Sequence, residues 1–378
     1  MSSSPQRFLP VSAALTAAGA ALALAAPSGR WLPAALWHLV FAVGALPMIL
    51  LAMGYFVPVL TRSRDAPRLL AAAPLAALAA GIGIVGFFVH GTPALRLDAP
   101  WLALLAVGGF AAWVATRWRA CMGHPNPCLG WYAAALGLLA LGLLAVAVSP
   151  YWPQQTRALR LFHLHVNTLG FIGLTALGTL QVLLPTVAGR PDADAAIRLA
   201  RDLKWSAGGA LGIALGAALS PPLALAAAAV YAWPLLRLAL HAWRTWRHEI
   251  VAAGSTLPLL AAALAGLVLA LGHGAAHANG IAAGTDDIPF FVIAFLLPLV
   301  SGAAGHLLPV WLHPGPQDDW HRASRRRLAH GARLRSVLLL AGGLLAAAAQ
   351  AAGYGLGVVC ALWLVLSLAI VAVSRPAR

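Results

Sequence analysis

The chain has 378 residues, of which 61% are hydrophobic and 9% are charged, and its mean hydropathy is +0.83. A soluble domain carries about 25% charged residues, so this composition excludes a soluble globular fold and predicts that most of the surface meets lipid. The formal net charge of +15 does not indicate nucleic-acid binding, because the charges lie in short loops between apolar runs and not on one basic face.

Twelve apolar runs are long enough to cross a lipid bilayer, so residues 1–378 predict an all-α, polytopic transmembrane helical bundle forming a single integral membrane domain. A helix rises about 1.5 Å per residue and needs about 20 residues to cross a hydrocarbon core of about 30 Å. In chain order the predicted spans are 8–27, 33–60, 68–90, 99–117, 129–149, 160–186, 205–220, 222–241, 253–273, 288–311, 335–352 and 354–373. The boundaries at Pro221-Pro222 and at Gly353 are the weakest of these predictions. If either pair of spans were one broken helix, the orientation of every later span would be reversed.

The loop charges predict the orientation of these spans. Of the 25 lysines and arginines, 21 fall on the side that receives both termini, and the other four are Arg30, Arg96, Arg157 and Arg160. Positively charged loops stay on the cytoplasmic side of a membrane. The sequence therefore predicts a multi-pass protein of the bacterial inner membrane with its N- and C-termini in the cytoplasm.

Six histidines share the end of the spans that this orientation makes extracytoplasmic. They are His38, His90, His163, His165, His273 and His277, and Asp286 and Asp287 begin the tenth span at the same end. An imidazole in hydrocarbon is costly unless it is paired or coordinated, which favours a metal or cofactor site. The alternative for each histidine is a hydrogen bond to water or a carbonyl near the headgroups, and for the aspartates a solvated helix N-terminus.

The donor atoms indicate which metals such a site would hold. Imidazole nitrogens without thiolates suit haem iron, copper or zinc, and we expect Asp286 or Asp287 to neutralise the cation or to hold an imidazole N–H. His163 and His165 differ by about 200° around a helix, so they cannot face one ion together. His273 and His277 are four residues apart and share a helix face, so they could ligate together.

A weak internal repeat links the second, sixth and tenth spans. His38 precedes Pro58 by 20 residues and His165 precedes Pro185 by 20 residues, whereas Pro289 occupies the equivalent place before Pro309. Gly54-Tyr-Phe-Val-Pro58, Gln181-Val-Leu-Leu-Pro185 and Gly305-His-Leu-Leu-Pro309 end these three spans. The pattern predicts pseudo-threefold repeats of four helices each, over about 1–125, 126–250 and 251–378.

Two stretches resemble known haem proteins. Phe162-His-Leu-His-Val-Asn-Thr-Leu-Gly-Phe171, followed by Leu183-Leu-Pro-Thr186, resembles helices in relatives of haem–copper oxidase subunit I. It is also similar to the NnrS group of haem- and copper-containing membrane proteins linked to nitric oxide stress. Trp37-His38 and the later Gly-Tyr-Phe-Val-Pro resemble the second helix of such proteins, in which an extracytoplasmic histidine binds haem.

This resemblance implies a cofactor and site residues. It implies a b-type haem, with copper as a second metal, His38 as a haem ligand, and His163 or His165 as a haem or copper ligand. The sequence departs from the oxidase pattern because it has no adjacent His-His pair, no His-x-His in the tenth span and a single glutamate, Glu249. Oxygen reduction and proton pumping are therefore not implied.

Three functions remain open on the sequence alone. The first is a haem- and copper-binding membrane oxidoreductase with redox or nitric oxide chemistry at the extracytoplasmic face, embedded in the lipid bilayer and served by a redox partner protein. The second is a transporter or channel for a metal ion or small solute, with the histidines at its entrance and a mobile break at Pro221-Pro222. The third is a haem-binding assembly or sensing subunit that catalyses nothing. No nucleic-acid partner is expected.

Overall fold

The computed structural model describes residues 8–26, 33–63, 66–282 and 287–374, and every regular element in these ranges is helical. The helices are α1 (Leu9–Ala25), α2 (Pro33–Thr61), α3 (Ala72–His90), α4 (Pro93–Arg119), α5 (Cys128–Val148), α6 (Pro153–Ala188), α7 (Ala195–Leu219), α8 (Pro221–Val251), α9 (Leu257–Ala278), α10 (Asp287–Leu312), α11 (Asp319–Leu328), α12 (Ala332–Ala347) and α13 (Ala351–Val373). Each of the twelve predicted spans overlaps a helix, although the span 335–352 continues past the end of α12 into α13, and the all-α prediction is confirmed.

The lengths and compositions of the helices are those of a multi-pass membrane protein. Within the described ranges, ten helical segments are long and apolar enough to cross a bilayer. The apolar helix α1 has 17 residues, somewhat fewer than the usual number for a span. Helix α7 has 25 residues, but its N-terminal half carries Arg198, Arg201, Asp202 and Lys204. The polytopic bundle that the sequence predicts is therefore confirmed.

Both weak boundaries separate two helices, although one lies elsewhere than predicted. Helix α7 ends at Leu219, and the extended backbone of Ser220 (φ −163°, ψ 112°) directs the chain into α8. Helices α12 and α13 are divided at residues 348–350, where Ala349 has a φ of 55°, and not at Gly353. Gly353 lies inside α13, where an added Cβ would be 2.5 Å from the Gly342 carbonyl oxygen. This glycine allows the two helices to approach closely instead of ending one of them.

Three helices contain a π-helical segment at the same relative place. The segments are Leu39–Ala45 in α2, Val166–Gly173 in α6 and Phe291–Leu296 in α10. Pro58, Pro185 and Pro309 follow the first residues of the three segments by 19, 19 and 18 positions. These are the second, sixth and tenth predicted spans, so the period of four helices recurs in backbone geometry.

Contacts between Cα atoms divide the chain into two compact units. The first contains Met1–Ala45, Leu183–Pro191 and Arg237–Arg378, and the second contains Leu46–Val182 and Asp192–Leu236. In the first unit α1 packs on α13, α12 on α13 and α9 on α10, while in the second α3 packs on α4, α4 on α5, and α5 and α7 on α6. Of the candidate residues that the structure describes, His38, His273, His277 and Asp287 belong to the first unit, and His90, His163 and His165 belong to the second.

The α7–α8 hairpin of the second unit is held by small residues. An added Cβ on Gly209 would lie 2.7 Å from the Tyr231 nitrogen, and one on Gly212 would lie 2.7 Å from the Ala227 Cβ. An added Cβ on Gly216 would lie 2.5 Å from the Ala224 Cα. The three glycines therefore form a stripe along α7 against which α8 packs backbone to backbone.

Candidate functional site

His38 lies directly before the π segment of α2 and is half-buried. Its Nδ1 is 2.6 Å from the carbonyl oxygen of Ala34, one turn earlier in the same helix. A carbonyl oxygen only accepts hydrogen bonds, so Nδ1 carries the proton and, in the neutral ring, the lone pair is on Nε2. This contact fixes both the tautomer and the rotation of the ring.

His165 repeats this geometry in α6. It lies directly before the π segment Val166–Gly173, is half-buried, and has its Nδ1 2.8 Å from the carbonyl oxygen of Leu161, again four residues earlier. The lone pair of the neutral ring is again on Nε2. Two histidines that are 127 positions apart in the chain thus have the same hydrogen-bond geometry at the same place in a repeated helix.

His163, two residues earlier, is held in a different way. Its Nδ1 is 2.9 Å from the carbonyl oxygen of Gly142 in α5, and Asn167 Nδ2 lies 3.0 Å from Nδ1 and 3.2 Å from Nε2. Nδ1 therefore donates to α5, and the asparagine amide lies against both ring nitrogens. An added Cβ on Gly142 would be 2.6 Å from Val166 Cγ2, so α5 and α6 approach closely here. His163 thus joins two helices, and neither Asn167 nor Gly142 was predicted as its partner.

At the third π segment an imidazole comes from a neighbouring helix. Pro289 occupies the repeat position in α10, but His273 of α9 stacks on Phe290 with 5.5 Å between ring centroids and 9° between ring planes. His273 Nδ1 lies 2.5 Å from Asp287 Oδ1, and the two side chains are 16% and 39% exposed. Asp287 therefore contacts an imidazole of the neighbouring helix. The role of Phe290 had no signal in the sequence, because it depends on how α9 and α10 pack.

The remaining candidates lie at exposed helix ends. His277 is exposed, and its Nδ1 is 3.0 Å from the carbonyl oxygen of Ala282. His90 is exposed in the last turn of α3, which Gly91 ends with a φ of 71°. Asp286 lies outside the described residues.

The candidates do not gather into a single cluster within the described ranges. No group of three or more histidine, cysteine, aspartate or glutamate side chains there is placed to hold a metal ion. In the second unit His163 and His165 have different hydrogen-bond partners. In the first unit the structure brings together His273 and Asp287.

No model of a known protein family matches the chain, and no curated protein shows significant similarity to it.

Proposed function

We propose that the chain is a haem-binding membrane protein in which His38 and His165 each provide an Nε2 ligand for haem iron. The observation that carries this proposal is the equivalence of the two residues. Each directly precedes a π segment, each lies 20 positions before a proline, and each donates Nδ1–H to the carbonyl four residues earlier. Local π-helical turns occur frequently at functional sites.

The chemistry of these two imidazoles suits haem iron. The porphyrin supplies four nitrogen ligands, so one correctly oriented imidazole on a face is a sufficient protein ligand. A histidine that binds a metal usually donates its other N–H to a carbonyl or carboxylate, which sets the ring orientation and makes the ligating nitrogen more basic. Haem bound here would supply redox or nitric oxide chemistry at the membrane face that the loop charges predict to be extracytoplasmic, with electrons from a redox partner protein.

His163 has a different role in this proposal. Its Nδ1 donates to the Gly142 carbonyl, and the Asn167 amide lies within 3.2 Å of both ring nitrogens. We therefore assign it to fastening α5 to α6 and not to the iron. It is a matched control for His165, because it lies two residues away in the same helix and has the same side chain.

The test is the reduced-minus-oxidised visible spectrum of the purified protein, with iron and copper quantified in the same sample. We expect a Soret band and an α-band with near-stoichiometric iron. His38→Ala and His165→Ala should each lower the iron content and alter the bands, whereas His163→Ala should keep them. A colourless preparation from cells that supply haem would overturn the proposal and favour the transporter.

A second measurement separates ligand loss from misfolding. In His38→Gly and His165→Gly the missing ring leaves space for free imidazole, which should restore the lost band when it is added to the variant. Bands that are the same in wild type and both glycine variants would contradict iron ligation by these residues. Nitric oxide turnover by a haem-loaded sample would then distinguish an enzyme from a sensing or assembly subunit.

A further inference from the structure

We propose that His273 and His277 form a separate two-imidazole site for a divalent first-row transition metal ion at the end of α9. This site goes beyond the proposed haem function and does not depend on it, since neither residue is one of the proposed haem ligands. The argument rests on the placement of the two side chains along one helix and on the partner that holds each Nδ1.

His273 is held in one orientation by two contacts. Asp287 Oδ1 lies 2.5 Å from its Nδ1, and the ring of Phe290 stacks on its face. With the carboxylate against Nδ1, Nε2 is the ring nitrogen that is placed to meet a metal ion. A carboxylate behind an imidazole is the usual partner of a metal-ligating histidine, and it makes the ligating nitrogen a stronger donor.

His277, one turn later, also has a partner at Nδ1. This atom donates to the carbonyl oxygen of Ala282, 3.0 Å away, so the lone pair of the neutral ring is on Nε2. Residues four apart are neighbours on a helix surface, with Cβ atoms about 5–6 Å apart. Two lone-pair nitrogens on one stripe of a rigid helix can bind the same ion as a chelate.

The ligand chemistry favours a borderline transition metal. Neutral imidazole nitrogens suit copper, zinc and nickel, whereas magnesium and calcium prefer oxygens. Affinity among first-row divalent ions is highest for Cu²⁺, so we expect Cu²⁺ to bind most tightly, with water completing its coordination. The negative charge of Asp287, next to the His273 ring, also favours a cation.

The experiment is a Cu²⁺ titration of the full-length protein, purified with a tag that contains no histidine and freed of loosely bound metal by a chelator. Electron paramagnetic resonance should show one tight Cu²⁺ per chain with coupling to two imidazole nitrogens. His273→Ala and His277→Ala should each abolish this signal, while His248→Ala, which removes an exposed histidine at the end of α8, should retain it. A two-nitrogen signal unchanged in either α9 variant would overturn the proposal.

Asp287 is a positioning residue in this site, and its variant tests that role. Asp287→Asn should weaken Cu²⁺ binding by roughly 10- to 100-fold, the usual effect of removing a partner that orients a metal-ligating histidine. The number of coupled nitrogens should remain two. An affinity equal to that of wild type would show that the His273–Asp287 contact only joins α9 to α10, and would contradict the proposed role of Asp287.

A measurement on the wild-type protein avoids variants that fail to fold. Diethyl pyrocarbonate modifies imidazole nitrogens, and mass spectrometry can locate the products. Stoichiometric Cu²⁺ should protect His273 and His277 together while leaving His248 reactive. Protection of His277 alone, or of neither residue, would refute the two-histidine site, and neither result would bear on haem binding by His38 and His165.

Discussion

Adding one methyl group to Gly216 tests how closely α7 and α8 pack. An alanine Cβ at this position would be 2.5 Å from the Ala224 Cα, whereas carbon atoms in good contact are about 3.5–4.0 Å apart. The two helices must therefore separate by about 1 Å, and overpacking of this kind costs about 1–3 kcal/mol. Gly216→Ala should lower the free energy of unfolding by that amount.

Gly208 provides the matched control, since it lies in the same helix with no atom within 4 Å of its added Cβ. Gly208→Ala should stabilise the helix by up to about 1 kcal/mol, because alanine has the higher helix propensity. The two variants should thus differ by about 1–4 kcal/mol. Thermal unfolding can be followed with a thiol-reactive dye that detects the buried Cys128 and Cys360, in a Cys121→Ser background. If Gly216→Ala melts at or above the Tm of Gly208→Ala, the backbone contact is not as close as described.

Two further predictions concern charged residues outside the candidate sites. Hydrogen bonds from His321 hold the pKa of Asp318 below its usual value, so this carboxylate stabilises the fold above pH of about 4 and loses its contribution as the pH falls through the lower folded pKa. The Tm advantage of wild type over Asp318→Asn should therefore narrow between about pH 5 and pH 3, and an advantage that is independent of pH would contradict this pairing. Arg198 and Asp192 form a buried ion pair of 2.6 Å, so Arg198→Ala should cost about 3–5 kcal/mol in thermal unfolding. A double variant that also carries Asp192→Asn should recover part of that loss, and no recovery would assign the cost to lost packing of the arginine.

The membrane-spanning helices could be predicted because lipid imposes a simple length and composition on each of them. The tenth span, predicted at 288–311, is the helix Asp287–Leu312. The break between α12 and α13 was predicted at the wrong residue, because a glycine in an apolar run can either end a helix or let two helices approach closely. Gly353 lets the helices approach, and residues 348–350 form the turn.

The contacts of the histidines were harder to predict from the sequence than the helices. The opposite directions of His163 and His165 follow from helix geometry, but the choice of Gly142 and Asn167 as partners of His163 depends on how α5 is rotated. The stacking of His273 on Phe290 likewise requires the packing of α9 against α10. The π segments could not be predicted from the sequence either, since a change from i→i+4 to i→i+5 hydrogen bonding is not tied to a fixed residue pattern.

Each π segment also sets the angular phase of its helix. A π turn accommodates an additional residue, and one residue corresponds to about 100° of rotation in an α-helix. If Leu39–Ala45 became α-helical with the same number of residues, His38 would turn by about 100° relative to Pro58, whereas deleting one residue at the same time would leave its direction nearly unchanged. Because α2, α6 and α10 share this feature, their N-terminal and C-terminal halves keep the same angular offset. In such a helix, the hydrogen-bonding pattern of the segment between histidine and proline determines the direction of the imidazole as much as the identity of the residue does.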